Sequence, residues 1–211
     1  MGWEMTSFLA VFAIALFAIL LVELPDKTLV ATLVLSTRYR PRPVLVGVAA
    51  AFAVQCVLAV TAGGLLHLLP HRLLEAIVAV MFALGAFLLI RESMSADEEA
   101  EVAEEEAEVA ERTPAGAGLS DRRIFGISFG VLFAAEWGDA SQLATAGLVA
   151  RYGQPVAIGL GAFIALVGVA VLAVWLGKLI LRRVPLQLLH RLAALLFGLF
   201  AIIAAVAAIR G

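Results

Sequence analysis

The sequence predicts an all-α polytopic membrane protein of six transmembrane helices. They are arranged as two inverted three-helix repeats, with the first and fourth helices interrupted at acidic motifs. Three observations predict this. The 211-residue chain is 63% hydrophobic with a mean hydropathy of +1.04, far above a soluble globular domain. Six apolar segments, at about 6–36, 44–69, 72–90, 122–150, 155–181 and 187–209, approach or exceed the ~20 residues a helix needs to cross hydrocarbon. The second half also repeats polar residues of the first at a nearly constant offset.

The N-terminus, Met1-Gly2-Trp3-Glu4, lacks the basic region of a secretory signal, so the first apolar segment is expected to be a permanent helix. It is longer than one crossing requires and holds an acidic box, Glu23-Leu24-Pro25-Asp26-Lys27-Thr28. Pro25 removes a backbone donor and clashes with the preceding turn, which predicts a break. The fourth segment, 122–150, holds a second box, Glu136-Trp137-Gly138-Asp139-Ala140-Ser141-Gln142, with Gly138 as the flexible element. Interrupted helices of this kind form midplane sites in transporters.

A shift of 113 positions places Glu23, Asp26, Thr32, Arg38 and Tyr39 on Glu136, Asp139, Thr145, Arg151 and Tyr152, and Thr28 on Ser141. A shift of 112 places Pro43, Val44 and Gly47 on Pro155, Val156 and Gly159. The division is therefore 1–91 for the first repeat, 92–121 for an acidic linker and 122–211 for the second repeat. Three helices per repeat is an odd number, so the second repeat enters from the opposite face. Arg38, Arg40, Arg42, Arg91, Arg122, Arg123, Lys178, Arg182 and Arg183 then share one side, against Arg72, Arg151 and Arg210 on the other. The positive-inside rule makes the first side cytoplasmic and puts both termini outside. Arg outnumbers Lys 13 to 2, beside heavy Ala, Val, Leu and Gly use, as in high-GC bacterial genomes.

Ten of the 17 acidic residues lie between Glu92 and Glu111, where one heptad, Glu-Glu-Ala-Glu-Val-Ala-Glu, occurs at 98–104 and again at 105–111. Dense like charge at i,i+4 opposes an isolated helix, so this stretch reads as a solvated linker. A cation-concentrating antenna is the alternative. Cys56 is the single cysteine and reads as a small buried apolar residue. Gly126-x-x-x-Gly130, Gly159 and Gly161 are expected to permit close helix contact. Gln55, Thr32 and Thr145 either line a pathway or join helices, and Trp137 and Trp175 read as packing or interface anchors.

A carboxylate at mid-membrane costs about 2.5–3.5 kcal/mol on insertion scales, so Glu23, Asp26, Glu136 and Asp139 must bind something. Glu and Asp at i and i+3 share one helix face, and inverted symmetry can bring the two faces together. Thr28, Ser141 and Gln142 could add neutral oxygens. An all-oxygen set suits hard cations such as Ca2+, Mg2+ or Mn2+ rather than Cu+ or Zn2+. Four carboxylates in a low-dielectric pocket cannot all stay ionised when the cation leaves, so protons replace it at the same four groups. Lys27 reads as a fixed countercharge; its counterpart is Ala140, so the half-sites are electrostatically unequal.

At these boxes the chain resembles the small cation/proton exchangers marked by a duplicated Glu-x-Gly-Asp-[Lys/Arg]-[Ser/Thr], the family of Golgi calcium/manganese transporters, chloroplast manganese transporters and bacterial manganese exporters. That family falls within the type-two superfamily of calcium:cation antiporters. The resemblance implies exchange of Ca2+ and/or Mn2+ for protons. It implies a site of Glu23, Asp26, Thr28, Glu136, Asp139 and Ser141, with Gln142 matching the Gln that often follows the second box. Pro25 stands where the first box has Gly, and Ala140 where the second has Lys or Arg.

The expectation is thus an integral protein of a bacterial cytoplasmic membrane that exports a divalent cation in exchange for protons. Its partners are the lipid bilayer, the cation and protons. It needs no resident cofactor and binds no nucleic acid. Two rivals remain: an exporter of a small cationic organic solute, held by the same carboxylates, and a non-transporting scaffold whose acidic linker recruits a partner. An enzyme is not expected: no Ser/His or Cys/His set is present, and His67 and His71, though spaced His-x-x-x-His, lie at predicted helix ends with Pro70 between them.

Overall fold

A computed structural model describes the backbone of residues 2–24, 27–94, 98–113, 118–183 and 186–210. Side chains are described for all of these except 2–6, 27, 98–102, 105, 177–183 and 186. Asp26 and the Lys27 side chain therefore lie outside the described residues, as do the side chains of Lys178, Arg182 and Arg183.

The described secondary structure is entirely helical: α1 (Gly2–Glu23), α2 (Lys27–Arg38), α3 (Pro41–Leu66), α4 (His71–Ser93), α5 (Glu98–Arg112), α6 (Asp121–Ala135), α7 (Ala140–Tyr152), α8 (Pro155–Arg183) and α9 (Leu186–Arg210). Both long segments with acidic boxes are interrupted at those boxes, after Glu23 and after Ala135. α3, α4, α8 and α9 each contain a stretch long and apolar enough to cross a membrane; Ser7–Glu23 and Thr28–Arg38, bent by 70°, make a fifth span if taken together. α6 and α7, of 15 and 13 residues, are each too short to cross alone.

The helices of each half pack mainly on the other half. α1 and α2 lie against α8, α6 and α7 lie against α3, and α4 pairs with α9. Small residues set the closest approaches. A Cβ on Gly47 of α3 would fall 2.6 Å from the Phe125 carbonyl oxygen of α6, and one on Gly161 of α8 would fall 2.7 Å from the Phe12 carbonyl oxygen of α1. Gly126 and Gly130 are expected to do the same, but a Cβ added at either would meet no atom within 4 Å. The α3–α6 contact uses the glycine of α3 instead. Large apolar side chains such as Phe17, Val46, Leu195 and Ile202 stay exposed, as on a surface facing lipid.

Chain direction follows from the polar contacts at the helix ends. Arg40, just before α3, pairs with Asp121 at the start of α6 at 2.8 Å. His67, just after α3, meets the Ala150 carbonyl near the end of α7 at 2.6 Å. So α6 followed by α7 runs along α3 from its first end to its last. α1 followed by α2 ends beside Arg40 and runs the other way. The 26 residues of α3 separate the two ends by about 39 Å at 1.5 Å per residue.

The acidic stretch, whose like charge opposes an isolated helix, is helical as α5, with its described glutamates exposed. It is not isolated: Val109 is buried, and Thr113 donates to the Val109 carbonyl at 2.8 Å. The Arg38 guanidinium at the end of α2 donates to the Ala110 and Thr113 carbonyls and to Thr113 Oγ1, satisfying acceptors that a helix C-terminus leaves open. Glu108 and Arg112 pair at i,i+4 and offset part of the like charge.

Candidate functional site

The two helix breaks meet. One carboxylate oxygen from each of Glu23, Glu136 and Asp139 lies within 4.8 Å of the others, the one cluster of three or more potential ligand residues among the described residues. Glu23 is the last residue of α1, 0% exposed, and Glu136 caps the C-terminus of α6, 2% exposed. Thr28, in the first turn of α2, is fully buried between them. Its Oγ1 is 2.9 Å from Glu23 Oε2 and also contacts Glu136 Oε1. The buried Ser141 hydroxyl of α7 also faces the Glu23 carboxyl.

The second break is held by its own chain. Gly138 has φ +79, the left-handed conformation that side chains with a Cβ adopt only with strain. Asp139 is the N-cap of α7, with extended backbone, but its carboxylate makes no capping hydrogen bond. That leaves it directed to other partners, at the positive end of the α7 dipole. Gln142 straps the break: its Nε2 donates to the Glu136 carbonyl at 2.6 Å, and its Oε1 accepts from the Gly138 N–H at 3.2 Å. The last carbonyls of α1 and α6 add the negative ends of two more dipoles.

Two buried carboxylate oxygens, Glu23 Oε1 and Asp139 Oδ2, accept no hydrogen bond within the protein. A buried carboxylate oxygen without a donor is costly, and a cation or a proton is the natural remedy.

Of the residues expected from sequence, the structure brings together Glu23, Thr28, Glu136, Asp139 and Ser141, and places Gln142 on the loop backbone. Around them, Gln55 of α3 donates to the Phe133 carbonyl of α6 at 3.2 Å, and Thr145 to the Ser141 carbonyl at 2.8 Å; both join backbone, the first between helices. Thr32 is fully buried and its hydroxyl has no partner. Trp137 is exposed and ends a ladder of Phe125, Phe129 and Phe133 along α6, and Trp175 is also exposed. Cys56 is a buried free thiol. Sequence reasoning passed over Glu75, an ordinary acid near the start of α4, which pairs with Arg151 at 2.6 Å with 7% of its side chain exposed. The one signal for it was an acidic residue inside an apolar run.

The profile of a family described as "Divalent cation/proton antiporter GDT1" matches residues 11–97 and 124–211. The chain belongs to the GDT1 family. The match covers both helix breaks and leaves out most of the acidic stretch. The family is one of transporters, not enzymes. The chain is 34% identical to GDT1-like protein sll0615 of Synechocystis sp. over 204 residues, covering 92% of this chain and 96% of the relative. It is 28% identical to a Vibrio cholerae protein named "Putative manganese exporter" over 198 residues, covering 92% and 90%. It is 29% identical to GDT1-like protein 5 of Arabidopsis thaliana, covering 94% and 96%. No solved structure matches the chain.

Proposed function

We infer that the chain exchanges a divalent cation, Mn2+ or Ca2+, for protons at the junction of its two helix breaks, and that it exports the cation from the cytoplasm. The cation is substrate; no resident cofactor is part of the proposal. The observation that carries it is the set of three carboxylates within 4.8 Å of one another, bridged by Thr28.

The size fits one ion. Ca2+–oxygen distances of about 2.3–2.6 Å place opposite ligands up to about 5 Å apart. An ammonium head with charge-assisted N–H···O distances of about 2.7–2.9 Å would span the same triangle, so it is transport of Mn2+ or Ca2+ themselves that separates the two readings. The proton side follows from Thr28. A hydroxyl has one proton and can donate to one carboxylate only. Its contact with the second carboxylate is satisfied when that group is itself protonated and donates. Cation and protons are then alternative ways of neutralising one cluster, and each favours whichever conformation binds it better.

The opposite directions of α1–α2 and α6–α7 support the inverted-repeat reading, with repeats at 1–91 and 122–211, the linker at 92–121 and α6–α7 supplying the sixth crossing. The site set in this proposal is Glu23, Asp26, Thr28, Glu136, Asp139 and Ser141. Lys27 is its countercharge, and Gln142 holds the second break. The arginine bias favours the cytoplasm of a bacterial cell for the Arg38 end and the linker, with both termini outside.

The test is flux in sealed vesicles carrying the purified protein, with Mn2+, Ca2+ and internal pH followed together. Cation movement coupled to opposite proton movement is expected, and its loss in Glu23→Gln and in Asp139→Asn. Normal exchange in both variants would overturn the site; cation flux with no pH change would overturn antiport.

A further inference from the structure

α2 and α7 are the half-helices that carry Thr28 and Ser141, and they end in equivalent arginines, Arg38 and Arg151. The two arginines do different things. Among the described residues, Arg38 donates to neutral acceptors, the Ala110 and Thr113 carbonyls and the Thr113 hydroxyl. Arg151, at the far end of α3, makes a 2.6 Å ion pair with Glu75 of α4, with 22% and 7% of the two side chains exposed. The His67 ring stands beside it, 2.6 Å from the Ala150 carbonyl and packed against Gly153, the left-handed cap of α7. α7 is thereby fixed to α3 and α4 at the end away from the linker.

A mostly buried ion pair is a poor source of stability, because desolvation offsets much of the attraction. It is a strong determinant of arrangement, because separating the charges leaves each uncompensated. A pair in that position, on the helix that leads straight to Asp139 and Ser141, suits a contact that exists in one conformation and breaks in the other. We propose that Glu75 and Arg151 form the latch that closes the transport path at the end opposite the linker, so that breaking the pair favours the conformation open at that end. The proposal rests on the exchange function inferred above. Glu75 and Arg151 are positioning residues and touch no cation.

Accessibility tests this without reference to flux. In the full-length protein with Cys56→Ser, Thr145→Cys reports the path on the α7 side of the site and Thr32→Cys the path on the α2 side. A membrane-impermeant maleimide is applied separately to each face of sealed vesicles. Glu75→Gln is expected to raise the labelling rate at Thr145→Cys from the Glu75 face at least about fivefold and to lower it at Thr32→Cys from the linker face. The charge swap Glu75→Arg with Arg151→Glu is expected to restore slow labelling. A merely structural role predicts faster labelling from both faces or from neither, and either result overturns the latch. Should Glu75→Gln not fold, Arg151→Gln serves with the same expectations. If wild-type vesicles carry neither Mn2+ nor Ca2+ yet labelling shifts as expected, the exchange function fails and the latch stands.

Discussion

The break between α1 and α2 and the break between α6 and α7 carry the same acid and hydroxyl pattern on opposite local architecture. The first sends Thr28 across the interface to touch carboxylates of both repeats. The second is self-supporting: Gly138 turns the chain in a left-handed conformation and Gln142 ties residue 136 to residue 138. Both halves reach across, but unequally: Ser141 faces the Glu23 carboxyl alone, whereas Thr28 touches a carboxylate of each half. The lesson is that two similar sets of acids and hydroxyls are joined through hydroxyls with different numbers of partners.

Removing a carboxylate from either half breaks the site in the same way, so the largest effects should be symmetric. Glu23→Gln and Glu136→Gln are each expected to lower cation/proton exchange by at least about 100-fold, since losing a charge from a desolvated cluster is worth several kcal/mol. Initial rates of Mn2+ and Ca2+ uptake into vesicles measure this. An active Glu136→Gln beside a dead Glu23→Gln would mean that the repeats do not share one site.

The hydroxyls sharpen the contrast, because their roles are not equivalent. Thr28→Val removes the bridge between repeats and should cost about tenfold in exchange, in line with ~1.5–3 kcal/mol for hydrogen bonds to charged groups. Thr28→Ser should keep most of the activity. Ser141→Ala, which loses a hydroxyl facing one carboxyl, should cost only about threefold. Equal losses at the two positions would remove the asymmetry.

Ala140 occupies the position that Lys27 holds in the first box, and it is buried. Ala140→Lys would place a second ammonium beside Glu136 and Asp139. The added charge should weaken divalent-cation affinity by about tenfold at an effective dielectric between water and dry protein. The apparent KM for Mn2+ and Ca2+ reads it directly, and an unchanged KM would show that position 140 does not face the cluster.

Much of this was legible in the sequence because charge in an apolar run is conspicuous. Glu23, Thr28, Glu136, Asp139 and Ser141 stood out as residues that a membrane segment does not carry without a reason, and the structure draws them together. Both helix interruptions followed from Pro25 and Gly138. What escaped was everything decided by long-range contact. Glu75 carries no motif, and only the fold puts it beside a residue 76 positions away. That the acidic stretch is helical also escaped, because its helix leans on Arg38 and on burial of Val109, neither of which local charge spacing reveals. Gln142 stood out as a further oxygen donor; that its amide also matches a donor and an acceptor of its own loop is a local fit that only the turn at Gly138 creates.

The smallest effect should come from the acidic helix itself. α5 touches α2 through Val109 and the Arg38 contacts, and its exposed hydrogen bonds are worth only about 0.5–1.5 kcal/mol each. Its remaining described glutamates, Glu104, Glu106, Glu108 and Glu111, face solvent. Replacing 98–112 with a Gly/Ser segment of equal length should therefore change exchange by less than about threefold, because no carboxylate of the cluster lies on α5. A scaffold that recruits a partner through its acidic linker predicts the reverse order: severe loss of function on replacing 98–112 and little on Glu136→Gln. Measuring both variants in the same vesicles and in the same cells ranks the two regions against each other. If the linker replacement proves the more damaging of the two, the helix breaks are not where this chain does its work.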